Sequence, residues 1–222
     1  MRSALAALAV AAALPLVSGA GTLRLLSVAC VVAAAVMSCH LLLRRTGMMP
    51  VGQGAFVALG MYAPAVVLTA TSYGLPWALG WAVALGLVVP LAIGAACLRL
   101  GDTTFSLVVL AVAVVVALVP LGAVALPYEK LPDVLVGEVH ARFRYWPALA
   151  VLAAAVAATA WKPRGRLAAF VAASFLATLA GTAYALAVGG ASPGVAGLPF
   201  TLSLAVVALL AGAGRQAGES GG

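Results

Sequence analysis

Long stretches of the chain are apolar and carry no charged side chain. Asp, Glu, Lys and Arg are all absent from 46–98, 103–128 and 167–214. A helix needs roughly 20 apolar residues to cross the hydrocarbon core of a bilayer, so these stretches have room for about two, one and two spans. The strands of a membrane barrel would alternate in polarity, and these stretches do not. The pattern predicts an all-α polytopic membrane protein.

Turn-forming residues divide the apolar sequence into segments. Gly, Pro and Ser interrupt it at 72–76 and 189–194, and a basic cluster with Gly and Pro interrupts it at 162–166. The predicted organisation is a first hydrophobic segment at 1–22, a transmembrane domain at 23–212 and a short polar C-terminal tail at 213–222. About eight transmembrane helices are predicted, at 4–20, 23–43, 50–70, 76–97, 104–125, 145–161, 166–188 and 197–212.

The first segment has two interpretations. It begins with the basic residue Arg2, continues as an apolar run and ends in the small residues Ser18, Gly19 and Ala20. A secretory signal peptide has the same three parts. The segment 1–22 is therefore either a transmembrane helix or a cleaved signal peptide, and the count of basic residues on the two sides does not decide between them.

The few charges lie between the apolar segments. Only 8% of the residues are charged, whereas a soluble domain carries about 25%. Lys and Arg accumulate on the cytoplasmic side of membrane proteins. With the N-terminus inside, eight of them fall inside and four outside, which predicts a multi-pass protein of the cytoplasmic membrane with both termini cytoplasmic. We therefore interpret the basic residues behind the net charge of +7 as a signal that orients the protein in the membrane. Membrane lipids are expected partners, and nucleic acid is not.

The sequence offers little for catalysis or for binding a metal or cofactor. It has no G-x-x-x-x-G-K-[ST] phosphate loop, so another chain would have to hydrolyse ATP. Cys30, Cys39 and Cys97 lack metal-ligand spacing and are expected to be buried thiols. His40 and His140 are 100 positions apart, and His40 is interpreted as structural. We expect no enzyme activity, no cofactor and no metal.

The stretch Arg44–Tyr62, RRTGMMPVGQGAFVALGMY, places flexible and polar residues in an apolar region. Gly47 and Pro50 are expected to end one helix before the next begins. Small residues let a neighbouring helix approach closely, and an unpaired Gln53 in hydrocarbon would be costly. The stretch is either a tightly packed helix with Gln53 bonded to a neighbour, or a substrate pathway made by Gly52, Gln53, Gly54, Phe56, Gly60 and Tyr62.

Three blocks of the chain resemble one family, the permease subunits of branched-chain amino acid ABC importers. The block 44–65 is similar to the family pattern G-Y-T-G-x-x-S-L-G-H-A-A-F-F-G-I-G-A-Y-T-A-A. Cys97–Val116 resembles L-R-L-R-G-x-Y-F-A-I-x-T-L-A, and Gly165–Pro193 resembles K-L-L-A-F-x-x-S-A-x-x-A-G-L-A-G-A-L-Y-A with a later S-P. The first block is identical to its pattern at Thr46, Gly47, Gly52, Ala55, Phe56, Gly60 and Tyr62.

The resemblance implies a permease-like bundle that moves branched-chain or other hydrophobic amino acids across the membrane. It implies ABC ATPase subunits, a second permease subunit and an extracytoplasmic solute-binding protein as partners. The chain departs from the family at Gln53, which replaces a His, and at Pro50, which replaces a Ser. The family's longer cytoplasmic coupling segment is also missing, which leaves a possible ATPase-facing turn at Lys162, Arg164, Gly165 and Arg166.

The missing segment motivates an alternative function. The chain would then be a diverged, truncated permease homologue that acts as a non-transporting membrane scaffold or an accessory subunit. A transporter driven by an ion gradient fits less well. Such proteins tend to place carboxylates within the membrane, and no Asp or Glu lies inside a predicted span.

Overall fold

The described part of the chain is built from helices. A computed structural model describes residues 11–12, 19–47, 52–70, 74–97, 104, 107–109, 111, 138–161, 165–191, 200 and 202–209. The predicted all-α class is confirmed for these residues, and 202–209 form a short helical segment. The five longer helices are α1 (Ala20–Thr46), α2 (Gln53–Ala70), α3 (Leu75–Cys97), α4 (Glu138–Ala160) and α5 (Arg166–Val188).

The described residues support four membrane spans where the sequence predicted eight. Four helices are long and apolar enough to cross a membrane: Gly21–Thr46, Gln53–Ala70, Leu75–Ala96 and Arg166–Val188. The apolar part of α4, Tyr145–Ala160, is shorter than these four. This apolar helix corresponds to the predicted span 145–161, and its shortness weakens the prediction that it crosses the membrane. The predicted spans 4–20 and 104–125 lie largely outside the described residues, and of 197–212 the structure describes 200 and 202–209.

Glycines end two of the long helices at the predicted breaks. Gly47 follows α1 with φ of 71°, and its N–H donates to the carbonyl of Leu43 at 2.9 Å. Gly189 follows α5 with φ of 78°, and its N–H donates to the carbonyl of Ala185 at 2.8 Å. The left-handed conformation is open to glycine without the strain that a Cβ adds, so both glycines act as C-terminal caps.

Helix α5 lies at the centre of the bundle and packs against the other four long helices. Helix α1 runs antiparallel to it, because Arg24 at the start of α1 bonds the carbonyl of Val188 at the end of α5. Helix α3 is also antiparallel, since Gly94 near its end lies beside Phe170 near the start of α5. Helix α2 runs parallel to α5, because Phe56 near its start packs against the same Phe170.

Helix α3 forms the most exposed apolar face of the described bundle. Its exposed large side chains are Trp77, Trp81, Val83, Leu87, Val88 and Leu91. A soluble protein rarely leaves so continuous an apolar surface in water. This face therefore suits contact with lipid or with another chain.

Candidate functional site at the crossing of α2 and α5

The residues of the predicted substrate pathway all lie inside the bundle. Every residue from Gly52 to Ala58 is buried, and Gly60 and Tyr62 are buried as well. Gly52 packs against Val109, where a Cβ on the glycine would overlap the valine side chain. The sequence placed these residues on one stretch of helix, and the structure adds that this stretch packs along α5.

Two glycines allow α2 and α5 to cross at backbone contact. A Cβ added to Gly60 would overlap the carbonyl group of Thr178 on α5. In return, a Cβ added to Gly181 would overlap the carbonyl of Val57 on α2 and approach the nitrogen of Met61. Such reciprocal contacts between small residues bring helix axes close together, where dispersion forces between the backbones add up. A neighbouring helix thus approaches the glycine-rich stretch at backbone distance.

A proline within α2 leaves a backbone carbonyl without its usual hydrogen-bond donor, and a side chain of α5 supplies a donor instead. Pro64 lies within α2 and has no N–H, so the carbonyl of Gly60 lacks the donor that a helix normally supplies from four residues later. The hydroxyl of Thr182 on α5 lies 3.0 Å from that carbonyl oxygen and 3.1 Å from the carbonyl oxygen of Thr178. Its single proton is shared between the two acceptors. The α2–α5 crossing thus combines close packing with an interhelical hydrogen bond.

Phe56 packs edge-on against Phe170 of α5. Their ring centroids are 5.8 Å apart and the ring planes meet at 77°. Both rings are buried, and this T-shaped arrangement is favourable for aromatic pairs. Phe56 therefore helps hold the two helices together on the side of the crossing nearer to the start of α2.

Gln53 and Ser174 are buried polar residues that lack partners among the described residues. Gln53 is 1% exposed and Ser174 is 0% exposed. Neither the Nε2 and Oε1 atoms of Gln53 nor the Oγ atom of Ser174 has a hydrogen bond within the described part of the chain. The packing interpretation expected Gln53 to bond a neighbouring helix, and no described residue makes that bond.

The basic turn before α5 lies at the same end of the bundle as Arg44 and Arg45. Arg166 bonds the carbonyl of Thr46 at 3.3 Å. Arg45 bonds the carbonyls of Thr159 and Trp161 at 3.1 and 2.9 Å. Cationic side chains favour the negative end of a helix dipole, so these contacts tie the ends of α1 and α4 together. Of the predicted turn, Gly165 and Arg166 are exposed, while Lys162 and Arg164 lie outside the described residues.

Sequence reasoning missed three residues of this site: Ser174, Gly181 and Thr182. Pro64 was the available signal, because a proline inside a helix implies an unpaired carbonyl four residues earlier. That signal points to Gly60, but it does not reveal which helix supplies the donor. For Ser174 no signal existed, because a serine in an apolar helix usually bonds its own backbone, as Ser27 and Ser38 do here.

The expected buried thiols are present at Cys30 and Cys39, which are both free and buried.

Comparisons with family models, with curated proteins and with solved structures find no match for this chain. The geometry of the α2–α5 crossing and the sequence itself are therefore the grounds for a function.

Proposed function

We propose that the chain is a transmembrane permease subunit of an ABC importer that carries branched-chain or other hydrophobic amino acids across the cytoplasmic membrane. The observation that carries the proposal is the packing of α2 against α5. These helices hold the first and third blocks that resemble the permease family, although the blocks lie far apart in sequence. Gly60, a residue of that resemblance, lies so close to α5 that an added Cβ would overlap the carbonyl of Thr178.

The distribution of charge supports an orientation for this subunit. Arg44, Arg45 and Arg166 lie at one end of the described bundle. Arg24 lies at the other end, where α4 begins with a stretch that includes Arg142 and Arg144. No Asp or Glu occurs in 19–47, 52–70, 74–97 or 165–191, so nearby carboxylates from these ranges do not offset the arginines. Basic residues favour the cytoplasmic side. Over the whole sequence, the predicted topology puts eight Lys and Arg residues on the side of Arg44, Arg45 and Arg166 and four on the side of Arg24. The end with Arg44, Arg45 and Arg166 is therefore proposed to face the cytoplasm and the ATPase subunits.

The remaining partners follow from what the chain lacks. It has no phosphate-binding loop for ATP, so the proposal requires ABC ATPase subunits. A second permease subunit and an extracytoplasmic solute-binding protein complete the importer. The apolar face of α3, with Trp77 and Trp81 both about half exposed, supplies surface for lipid or for the second permease subunit.

Transport tests the proposal directly. Right-side-out membrane vesicles from cells that express the chain with its ATPase, second permease subunit and solute-binding protein should accumulate radiolabelled L-leucine when they contain ATP. Gln53→Leu should lower that uptake by about tenfold, since it removes a polar group placed along α2. Gly21→Ala is the control, because a Cβ at Gly21 on α1 meets nothing within 4 Å. Uptake that is absent from wild-type vesicles contradicts the proposal, whereas ATP-driven uptake that is equal in wild type and Gln53→Leu removes Gln53 from the substrate pathway.

One observation favours the alternative of a non-transporting scaffold. Helix α4 ends at Ala160 and α5 begins at Arg166, which leaves only 161–165 between them. ATP-driven transport requires an element that transmits ATPase closure to the bundle, and this link is too short for a coupling helix. Affinity purification from native membranes separates the two functions. An ATPase that co-purifies with wild type and is lost with Lys162→Ala plus Arg164→Ala supports the importer, whereas purification without any ATPase supports the scaffold.

A further inference from the structure

The unpartnered polar atoms of Gln53 and Ser174 belong to residues on facing sides of two helices. Gln53, Val57 and Gly60 follow one another at helical spacing, so they share one face of α2. Val57 and Gly60 both contact α5, which means that this face is the one turned toward α5. By the same spacing, Ser174 shares a face of α5 with Thr178 and Gly181, and those two residues contact α2. Both polar side chains therefore start from the faces that the two helices turn toward each other.

Gln53 and Ser174 also lie at the same level along the two helices. The contacts Gly60–Thr178 and Val57–Gly181 join residues whose numbers differ by 118 and 124. Because the helices run parallel, residues with a difference in this range are neighbours across the interface. For Gln53 and Ser174 the difference is 121. An amide and a hydroxyl thus occupy one level of a buried interface without a partner among the described residues.

The start of α2 adds positive potential at this level. Gln53 is the first residue of the 18-residue helix, and the adjacent residues Gly52 and Gly54 are buried. A helix N-terminus presents N–H groups without intrahelical partners and carries about half a positive charge. The N–H of Ala55 already donates to the carbonyl of Gly52 at 3.1 Å. The end of the dipole nevertheless stays in the low-dielectric interior, where it acts strongly on a nearby charge.

The described helices that pack against α2, which are α1, α3 and α5, contain no negative charge to offset this potential. No Asp or Glu occurs in 19–47, 52–70, 74–97 or 165–191. Arg166 lies on the same helix as Ser174, eight residues earlier, which is about 12 Å along the axis. The site therefore combines hydrogen-bond donors, a helix dipole and a more distant guanidinium, and all of them favour an anion.

We propose that Gln53, Ser174 and the N-terminus of α2 form a binding site for the carboxylate group of a small organic acid. A carboxylate accepts hydrogen bonds from the Gln53 amide and the Ser174 hydroxyl, and its charge complements the helix N-terminus. Phe56 and Phe170 lie on the same two helices within about a turn of these groups and supply apolar surface for an aliphatic side chain. Resting on the proposed function, the inference assigns this site to the α-carboxylate of the transported amino acid.

Binding to the purified chain tests the site without requiring transport. The chain in lipid nanodiscs would be titrated with three probes: L-leucine, isovalerate, which keeps the carboxylate but lacks the amine, and L-leucinamide, which lacks the carboxylate. We expect L-leucine and isovalerate to bind and L-leucinamide to bind at least about tenfold more weakly, since it cannot offer an anion to the donors. Gln53→Leu and Ser174→Ala should each weaken binding of L-leucine by about tenfold or more.

Two further measurements keep the test decisive. Ser38→Ala removes another buried serine hydroxyl, which donates to the carbonyl of Ala35 at 2.7 Å on α1, and it should leave binding unchanged. The melting temperature of unliganded Gln53→Leu should be equal to or above that of wild type, because the variant removes a buried amide that has no described partner. Weaker binding by a more stable variant cannot be attributed to unfolding.

The outcomes separate the site from the importer. Equal binding of L-leucine and L-leucinamide, binding unchanged in both variants, or no binding of either carboxylate probe overturns the carboxylate site. Carboxylate-dependent binding that both variants weaken, together with no ATP-driven uptake by wild-type vesicles, upholds the site and overturns the importer function. ATP-driven uptake together with binding that does not depend on the carboxylate upholds the importer and overturns the site.

Discussion

The hydroxyl of Thr182 lies 3.0 Å from the carbonyl oxygen of Gly60, across the crossing of α2 and α5. That carbonyl is available because Pro64, four residues later in α2, has no N–H to donate to it. The proline therefore creates an acceptor on one helix, and a threonine on another helix satisfies it. Where hydrocarbon surrounds a bundle, water cannot make such a bond, so the residues of this crossing depend on one another.

A double-mutant cycle measures this dependence. Thr182→Val removes the hydroxyl with little change in shape and should lower the free energy of unfolding by about 1 kcal/mol. The Pro64→Ala substitution supplies a backbone N–H that can donate to the carbonyl of Gly60 within α2. In that background the same Thr182→Val change should therefore cost markedly less. Unfolding of the purified chain in mixed micelles, followed by circular dichroism, gives all four free energies.

Two controls define what the cycle reports. Thr182→Ser keeps the hydroxyl and should retain most of the stability that Thr182→Val loses. Thr69→Val removes a hydroxyl that bonds the carbonyls of Ala65 and Val66 in its own helix, and it should have a small effect that is independent of Pro64. If Thr182→Val costs the same with and without Pro64, the hydroxyl does not serve the carbonyl that the proline exposes.

The glycine contacts at the same crossing predict that one methyl group added at Gly60 strongly lowers the stability of the protein. Gly60→Ala places a Cβ in the space occupied by the carbonyl of Thr178, so the helices must move apart. We expect the free energy of unfolding to fall by about 2–3 kcal/mol, as for other overpacked interiors. The melting temperature in detergent, measured on variants purified in parallel, checks the prediction.

Gly80→Ala is the matched control for this methyl group. Gly80 is also a helical glycine, but a Cβ there meets nothing within 4 Å. Since alanine is the better helix former, this variant should be as stable as wild type or more stable by up to about 1 kcal/mol. Equal loss of stability in both variants would mean that the effect does not come from the contact with Thr178.

These residues also illustrate how far the sequence predicts the structure. Gly47 and Gly189 mark helix ends that local chemistry determines, and the structure places both as caps. The buried state of Gln53 and Phe56 followed from the apolar stretch around them. The identity of the helix that packs against this stretch did not follow from the sequence. A glycine-rich face fits any close neighbour, so its pairing with α5 depends on the three-dimensional arrangement. The orphaned Ser174 depends on the same arrangement.

The number of spans illustrates a different limit. Hydropathy alone treats every apolar segment as equal, and it predicted eight spans. The described residues contain four helices of sufficient length and apolarity, together with the shorter apolar helix Tyr145–Ala160. Helix length distinguishes a membrane span from a shorter apolar helix, because a helix rises about 1.5 Å per residue and must cross a hydrocarbon core about 30 Å thick. A short apolar helix therefore spans that distance only where the bilayer thins or neighbouring helices cover its ends.

Arg45 should stabilise the end of the bundle more than its neighbour Arg44 does. Arg45 bonds the carbonyls of Thr159 and Trp161 at the end of α4, whereas Arg44 is exposed and its side chain bonds no described residue. Arg45→Ala should lower the free energy of unfolding by about 1 kcal/mol, a value discounted for partial exposure. Arg44→Ala, which removes the same charge, should change it by less than about 0.5 kcal/mol. Comparable losses in both variants, measured by unfolding in mixed micelles, would indicate an effect of net charge instead of the Arg45 contacts.

The hydrogen bonds of the arginines also predict which ends of the helices share one side of a membrane. Arg166 joins the start of α5 to the end of α1, and Arg45 joins the end of α1 to the end of α4. Arg24 joins the start of α1 to the end of α5 on the opposite side. Single cysteines that replace Arg44 and Trp161 should therefore react from one side, and those that replace Gly19 and Gly74 from the other.

Labelling of intact cells with a membrane-impermeant maleimide provides the measurement. In a chain whose Cys30, Cys39 and Cys97 are replaced by alanine, Gly19→Cys and Gly74→Cys should be labelled, because the side with four of the twelve Lys and Arg residues of the sequence is expected outside. Arg44→Cys and Trp161→Cys should be labelled only after the membrane is permeabilised. If those two cysteines are labelled in intact cells, the proposed orientation is inverted and the ATPase-facing turn cannot contact an ATPase. If they react from different sides, the contact between α1 and α4 is itself wrong, since Arg45 could not reach Thr159 across a bilayer.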